Sequence, residues 1–134
     1  MILYGQSWGG AAAIRTARHL KRLNIRVPLT VQIDSVGMAD ATIPSNVRAA
    51  ANIFQHDPLS IRGQSRIHAE DPSATRILEN TRHSYFFRPV ESLRAEDANW
   101  ARRTLGGSHA KMELDPILWR HVEEMILRAI NGTL

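Results

Sequence analysis

The chain has 134 residues, 43% of them hydrophobic, and with its 8 Gly added this is a near-average globular composition, which excludes a fibre or a disordered tail. Seventeen basic residues against 13 acidic ones leave a formal charge of +4, but the 15 Arg and two Lys are scattered along the chain, which argues against the clustered stripe of a nucleic-acid-binding protein. No apolar run approaches the roughly 20 residues needed to cross a bilayer, and the absence of Cys excludes disulfides, thiolate metal sites and cysteine nucleophiles while leaving the compartment open.

Met1 to Tyr4 is a short apolar segment that reads as a strand and runs directly into Gly5-Gln6-Ser7-Trp8-Gly9-Gly10, with no charged region or cleavage pattern before it, so no signal peptide is expected. Gly5-x-Ser7-x-Gly9 fits the nucleophile elbow, in which a strand turns sharply into a helix and holds a serine hydroxyl above the sheet. Both glycines are expected to be needed where backbone passes close to backbone. The small residues Gly10 to Ala13 then let a helix pack tightly beneath the turn. That helix is predicted from about Trp8 to Leu23, with Ile14, Ala17 and Leu20 on its apolar face, Arg15, Arg18 and Arg22 as a solvated stripe, and Asn24 as its stop.

Val27 to Ile33 is a β-branched run of strand length that ends in Asp34-Ser35-Val36-Gly37. Strand, helix and strand make a βαβ unit and hence a parallel sheet. Loops at the carboxyl ends of such strands are where ligands bind, and Ser7 and Asp34 both lie there. Asn46 to Gln55 carries Val47, Ala50, Ala51 and Phe54 at helical spacing and is predicted as an amphipathic helix with an Asn or Ser cap. His56 to Ser73 is polar and punctuated by Gly and Pro, a long surface loop. A further strand is expected over about Arg76 to Arg82, and Tyr85-Phe86-Phe87 reads as core, as a continuation of the sheet or as a pocket wall. Gly106-Gly107-Ser108 gives His109 a flexible approach. Asp115-Pro116 opens a last helix to about Ile130, with Ile117, Leu118, Val122, Met125, Ile126 and Ala129 on its apolar side and Asn131-Gly132 as its end. His121 and Glu124 are spaced as metal ligands could be, but no third ligand accompanies them, so no metal is expected. No Gly-rich phosphate loop is present and no cofactor is expected.

Gly5-Gln6-Ser7-Trp8-Gly9-Gly10, Ile33-Asp34-Ser35 and Gly107-Ser108-His109, in that order, resemble the α/β-hydrolase superfamily of serine esterases and thioesterases. The resemblance covers the layout of the whole chain, although only these three stretches carry specific motifs. It implies an α/β fold with a mostly parallel sheet flanked by helices. It also implies a catalytic triad of Ser7, Asp34 and His109, with the Trp8 backbone N–H in the oxyanion hole and a small-molecule ester or thioester as substrate. Asp34, 27 residues after Ser7, looks like the thioesterase-like arrangement in which the acid ends the strand directly after the nucleophile helix.

Asp40, on the same loop, and Asp57 and Asp71, each before a proline, compete with Asp34 for the acid, and Glu79 or Asn80 near the next strand is a weaker choice. His19 and His121 lie inside predicted helices, while His56, His68 and His83 read as surface residues. The family carries its base on a loop before the last helix, where His109 stands. A complete member has further strands and a second oxyanion donor before the nucleophile strand. The resemblance therefore implies that residues 1–134 form the C-terminal part of one such domain, inactive or weak by itself, with its first strand an exposed apolar edge open to association. The alternative is a noncatalytic hydrolase-like fragment or binding module completed by another chain.

Overall fold

The computed structural model describes residues 1–58, 60–86 and 107–134. Strand β1 (Leu3–Gln6) passes through the single residue Ser7 into helix α1 (Trp8–Arg22), and strand β2 (Val27–Ile33) follows. β1 and β2 are parallel, from Leu3 opposite Thr30 to Gln6 opposite Ile33, a pairing that requires a crossover, which α1 supplies. The helix buries Ala13, Ile14, Ala17 and Leu20, as its periodicity predicts. Arg15 and Arg22 lie in solvent, whereas Arg18 reaches across to donate to the carbonyls of Ala39 and Thr42. The last turn carries His19, Lys21 and Arg22, cations that suit the negative end of the helix dipole, and Asn24 takes the left-handed conformation (φ 57°) just beyond it.

Residues 47–55 are a strand, β4 (Val47–Gln55), and not the amphipathic helix that their spacing predicts. β4 pairs in parallel with β2 on one side and with β6 (Arg76–His83) on the other, so it is an interior strand of a four-stranded parallel sheet in the order β1-β2-β4-β6. Helices lie on both faces of the sheet, and only Arg48 of β4 is exposed. A strand buried on both faces needs apolar residues at every position, so Val47, Ala50, Ala51 and Phe54 fall at helical spacing within a run that has no period of its own. Asn46, expected as the cap, instead donates its side-chain amide to the carbonyls of Ala17 and Ile25. The long segment after β4 contains a two-residue strand, β5 (His68–Ala69), paired in parallel with β3 (Thr42–Ile43) in a second small sheet.

Two cores result. On one face α1 packs Ile14, Ala17 and Leu20 against Val27, Val47, Ala50 and Ile67. On the other, Leu29, Val31, Ile33, Ala49, Ala51 and Ile53 meet helices α2 (Gly107–Leu114) and α3 (Pro116–Ile130) through Met112, Leu118, Val122 and Met125. Each of the fully buried aliphatic side chains contributes about 1.5–3 kcal/mol relative to exposure. Ile117, expected on the apolar side of α3, is 74% exposed. Tyr85 is core, with its hydroxyl donating to Asp115, while Phe86 is exposed; Phe87 and Gly106 lie outside the described residues. Among the described residues, no helix is long and apolar enough to cross a membrane.

Candidate active site

Ser7 sits between β1 and α1 with φ 55° and ψ −127°, a conformation that costs a non-glycine residue about 1–3 kcal/mol and persists only where its surroundings impose it. Three backbone hydrogen bonds do so: the Ser7 N–H donates to the Ile33 carbonyl (2.9 Å), and the Ser7 carbonyl accepts from the N–H groups of Gly10 and Val36 (3.1 Å each). A serine that begins a helix ordinarily caps it with its hydroxyl, yet Ser7 makes no side-chain cap hydrogen bond. The strained turn thus leaves the hydroxyl uncommitted to the helix. Trp8, the first residue of α1, has an N–H with no acceptor within the helix by geometry, and its indole is largely exposed.

The glycines that this turn requires are Gly5 and Gly10, not Gly5 and Gly9. A Cβ on Gly5 would overlap the Gly9 backbone, and one on Gly10 would stand 2.7 Å from the Ser35 side chain, whereas one on Gly9 would meet nothing within 4 Å.

Asp34 follows β2 directly, in a left-handed conformation (φ 42°), and is completely buried. Both of its oxygens are fully used. Oδ1 accepts from the N–H groups of Gly63 (2.9 Å) and Gln55 (3.3 Å), and Oδ2 from the Gln55 side-chain amide (2.8 Å). The fourth partner is His109, whose Nδ1 lies 2.6 Å from Oδ2 across 75 residues of sequence. Gly63 is the point of closest approach, because a Cβ there would overlap both the Asp34 backbone and its carboxylate.

His109 stands in the first turn of α2 rather than on a loop, with a side chain 12% exposed. Its main chain is tied to two other segments: its N–H donates to Ser60 Oγ (3.0 Å), and its carbonyl accepts from the side-chain amide of Gln6, the residue before Ser7 (2.9 Å). The structure thus brings Asp34 and His109 into direct contact and ties the His109 backbone to the strand end that carries Ser7.

The competing acids are engaged elsewhere. Asp40 accepts from Ser35 Oγ (2.5 Å), Asp71 from the N–H and hydroxyl of Ser73, and Glu79 from Thr81 and His121. His121 therefore faces Glu79 rather than Glu124. His19 lies against Arg22, His56 against Phe54, His68 against Thr42 and His83 against Tyr85. Asp57 is buried at the end of β4 and accepts from Ser84 Oγ (2.7 Å), from the Tyr85 N–H (2.5 Å) and from the Ser108 side chain. Burial opposes its charge, but the hydrogen bonds from Ser108, Tyr85 and Ser84, with Arg82 nearby, outweigh it and hold the carboxyl below its ordinary range. Asp57 thereby anchors the residue before His109.

Sequence reasoning missed Gln6, Gln55, Ser60 and Gly63. Gln55 alone carried a signal, as a polar residue at the end of an apolar run whose side chain must find partners once that run is a buried strand. No protein family, no curated protein and no solved structure matches this chain.

Proposed function

We propose that this chain carries the machinery of a serine hydrolase acting on a carboxylic ester or thioester through an acyl-enzyme on Ser7. The observation that carries the reading is the 2.6 Å contact between His109 Nδ1 and the buried Asp34 carboxylate, beside the strand end where the strained Ser7 stands. With the other acceptor positions of Asp34 filled by donors, His109 Nδ1 is the donor of that bond, which leaves Nε2 with its lone pair. Nε2 then takes the proton of Ser7 Oγ as the hydroxyl attacks the substrate carbonyl carbon, and Asp34 stabilises the imidazolium. The Trp8 N–H stabilises the oxyanion. Collapse of the tetrahedral intermediate breaks the bond to the alcohol or thiol, which leaves with the proton from His109. Water repeats the sequence on the acyl-enzyme and releases the acid. Ser7 after β1, Asp34 after β2 and His109 after β6, over a parallel sheet, support an α/β-hydrolase-like arrangement of the thioesterase type.

The test is turnover of activated esters and acyl thioesters by wild type, Ser7→Ala, Asp34→Asn and His109→Ala. Each variant is expected to lose about 10³-fold or more in kcat, and because the three groups act as a unit a Ser7→Ala/His109→Ala double variant loses no more than the worse single. Undiminished turnover in Ser7→Ala would sink the proposal.

The free edge of β1, which pairs only with β2 among the described residues and exposes Tyr4, favours a second reading. In it the chain is a noncatalytic hydrolase-like module completed by another chain along that edge. A Ser7 that resists acylation while the chain forms a defined complex would favour this second reading.

A further inference from the structure

We infer that Gln55 is a positioning residue for the acid–base pair: it locks the Asp34 carboxylate and thereby sets both the tautomer and the orientation of the His109 imidazole. The inference rests on the reading of Ser7, Asp34 and His109 as one catalytic set. Gln55 is the last residue of β4 and is completely buried. Its Nε2 donates to Asp34 Oδ2 (2.8 Å) and to the Ile61 carbonyl, its Oε1 accepts from the Asp57 N–H (2.8 Å), and its own N–H donates to Asp34 Oδ1 (3.3 Å).

The amide has one workable orientation. Turned over, it would set Oε1 against a carboxylate and a carbonyl and leave the Asp57 N–H facing a donor, three losses in a place that water does not reach. Gln55 thus binds Asp34 at both oxygens, one through its side chain and one through its backbone. Oδ2 receives Gln55 Nε2 and His109 Nδ1 together, so the amide fixes the plane in which the imidazole must approach. The same residue also ties the segment after β4 to the site, because its remaining bonds go to the Ile61 carbonyl and the Asp57 N–H. A fully satisfied buried network of this kind resists rearrangement.

Among the described residues, the charged groups around His109 are few. Asp34 faces it from the end of β2, and Asp57 lies behind it through Ser108 from the end of β4. Gln6 and Ser60 are uncharged, Lys111 and Glu113 stand on its own helix, and Arg62, next to Gly63, is in solvent. A carboxyl introduced at position 55 would stand against the Asp34 carboxylate and the Ile61 carbonyl in a buried site, which holds it protonated.

The experiment is an NMR measurement of the His109 ring tautomer in the full chain, with wild type, Gln55→Glu and Gln55→Met, each also labelled with a fluorophosphonate. The wild type is expected in the Nδ1–H tautomer. Gln55→Glu, equal in shape, is held protonated against the buried Asp34 carboxylate and offers one donor where the amide offers two, so it is expected to keep the Nδ1–H tautomer and to label Ser7 faster than Gln55→Met does. Gln55→Met, which keeps the volume and removes the donor, is expected to lose the single tautomer and to label Ser7 at least about tenfold more slowly. If Gln55→Glu does not fold, the tautomer and labelling rate of Gln55→Met decide. A Met variant with wild-type tautomer and labelling rate, or a folded Glu variant that labels no faster than the Met variant, would overturn the inference and leave Gln55 a packing residue. The tautomer needs no turnover, so a single tautomer lost in Gln55→Met, in a chain whose Ser7 never labels, would count against the hydrolase reading while the positioning of His109 by Gln55 stood.

Discussion

At the scale of single residues, the turn at Ser7 separates what a motif pattern asks for from what the backbone asks for. Gly-x-Ser-x-Gly directs attention to Gly5 and Gly9, but the close approaches are at Gly5 and Gly10. Gly9→Ala is therefore expected to keep full labelling of Ser7 and an equal or higher Tm, since alanine is the better helix former by roughly 1 kcal/mol. Gly10→Ala forces a methyl against Ser35 at the end of β2 and is expected to cost about 1–3 kcal/mol, read as a lower urea midpoint. Gly63→Ala pushes on the Asp34 carboxylate from its other side. A displacement there near 1 Å is expected to lower turnover by about 10²-fold in a chain that still folds, measured as kcat with circular dichroism as the control. The strained Ser7, the buried Asp34 and the nearby His109 were legible as residue types in order along the chain. Their supports were not, because Gln6, Gln55 and Gly63 act through contacts between segments far apart in sequence.

At the scale of elements, α1, β2, β6 and α3 lie within about a residue of their predicted limits because each has a period, a cap or a stop that acts locally. β4 failed for the opposite reason. Its identity is decided by neighbours on both sides of the sheet, and three consecutive alanines fit a helix as well as a narrow strand beneath α1. The end of the chain shows the local case. Asp115 caps α3 by accepting from the N–H groups of Ile117 (2.8 Å) and Leu118 (3.3 Å), with Pro116 at the first helical position, and it also takes the Tyr85 hydroxyl (2.6 Å). Asp115→Ala is expected to cost about 1–2 kcal/mol and to lower Tm by several degrees in a thermal melt. Because Tyr85 and α3 line the core face that also holds Met112 of α2, some loss of Ser7 labelling is expected to accompany it.

At the scale of the whole molecule, the parallel sheet gathers the carboxyl ends of β1, β2 and β4, and with them Ser7, Asp34 and Gln55, at one end, and covers both faces with helix. The carboxylates that hold this arrangement give it a pH dependence. For Asp57 burial raises the carboxyl and the bonds from Ser108, Tyr85 and Ser84 more than offset it; for Asp115 burial is likewise outweighed, by Tyr85 and the helix N–H groups. Both are held below their ordinary value of 3.8, so the unfolded chain binds more protons than the folded one between the lowered values and that point. Their contribution is present in full above the ordinary range and is lost as pH falls through the lowered folded values. Urea midpoints measured from neutral pH down to about pH 3 are expected to fall, and less steeply in Asp57→Asn than in wild type. An identical slope in the variant would show that Asp57 does not hold Ser84, Tyr85 and Ser108 through its charge.

The central claim is that Ser7 is an activated nucleophile served by His109 and Asp34, and the most direct test is the intact mass of the chain after reaction with a fluorophosphonate. Wild type is expected to gain one adduct, mapped to Ser7, while Ser7→Ala gains none and His109→Ala reacts slower by about 10³-fold or more. An unlabelled wild-type chain that is folded by circular dichroism, or an adduct that persists in Ser7→Ala, would contradict it.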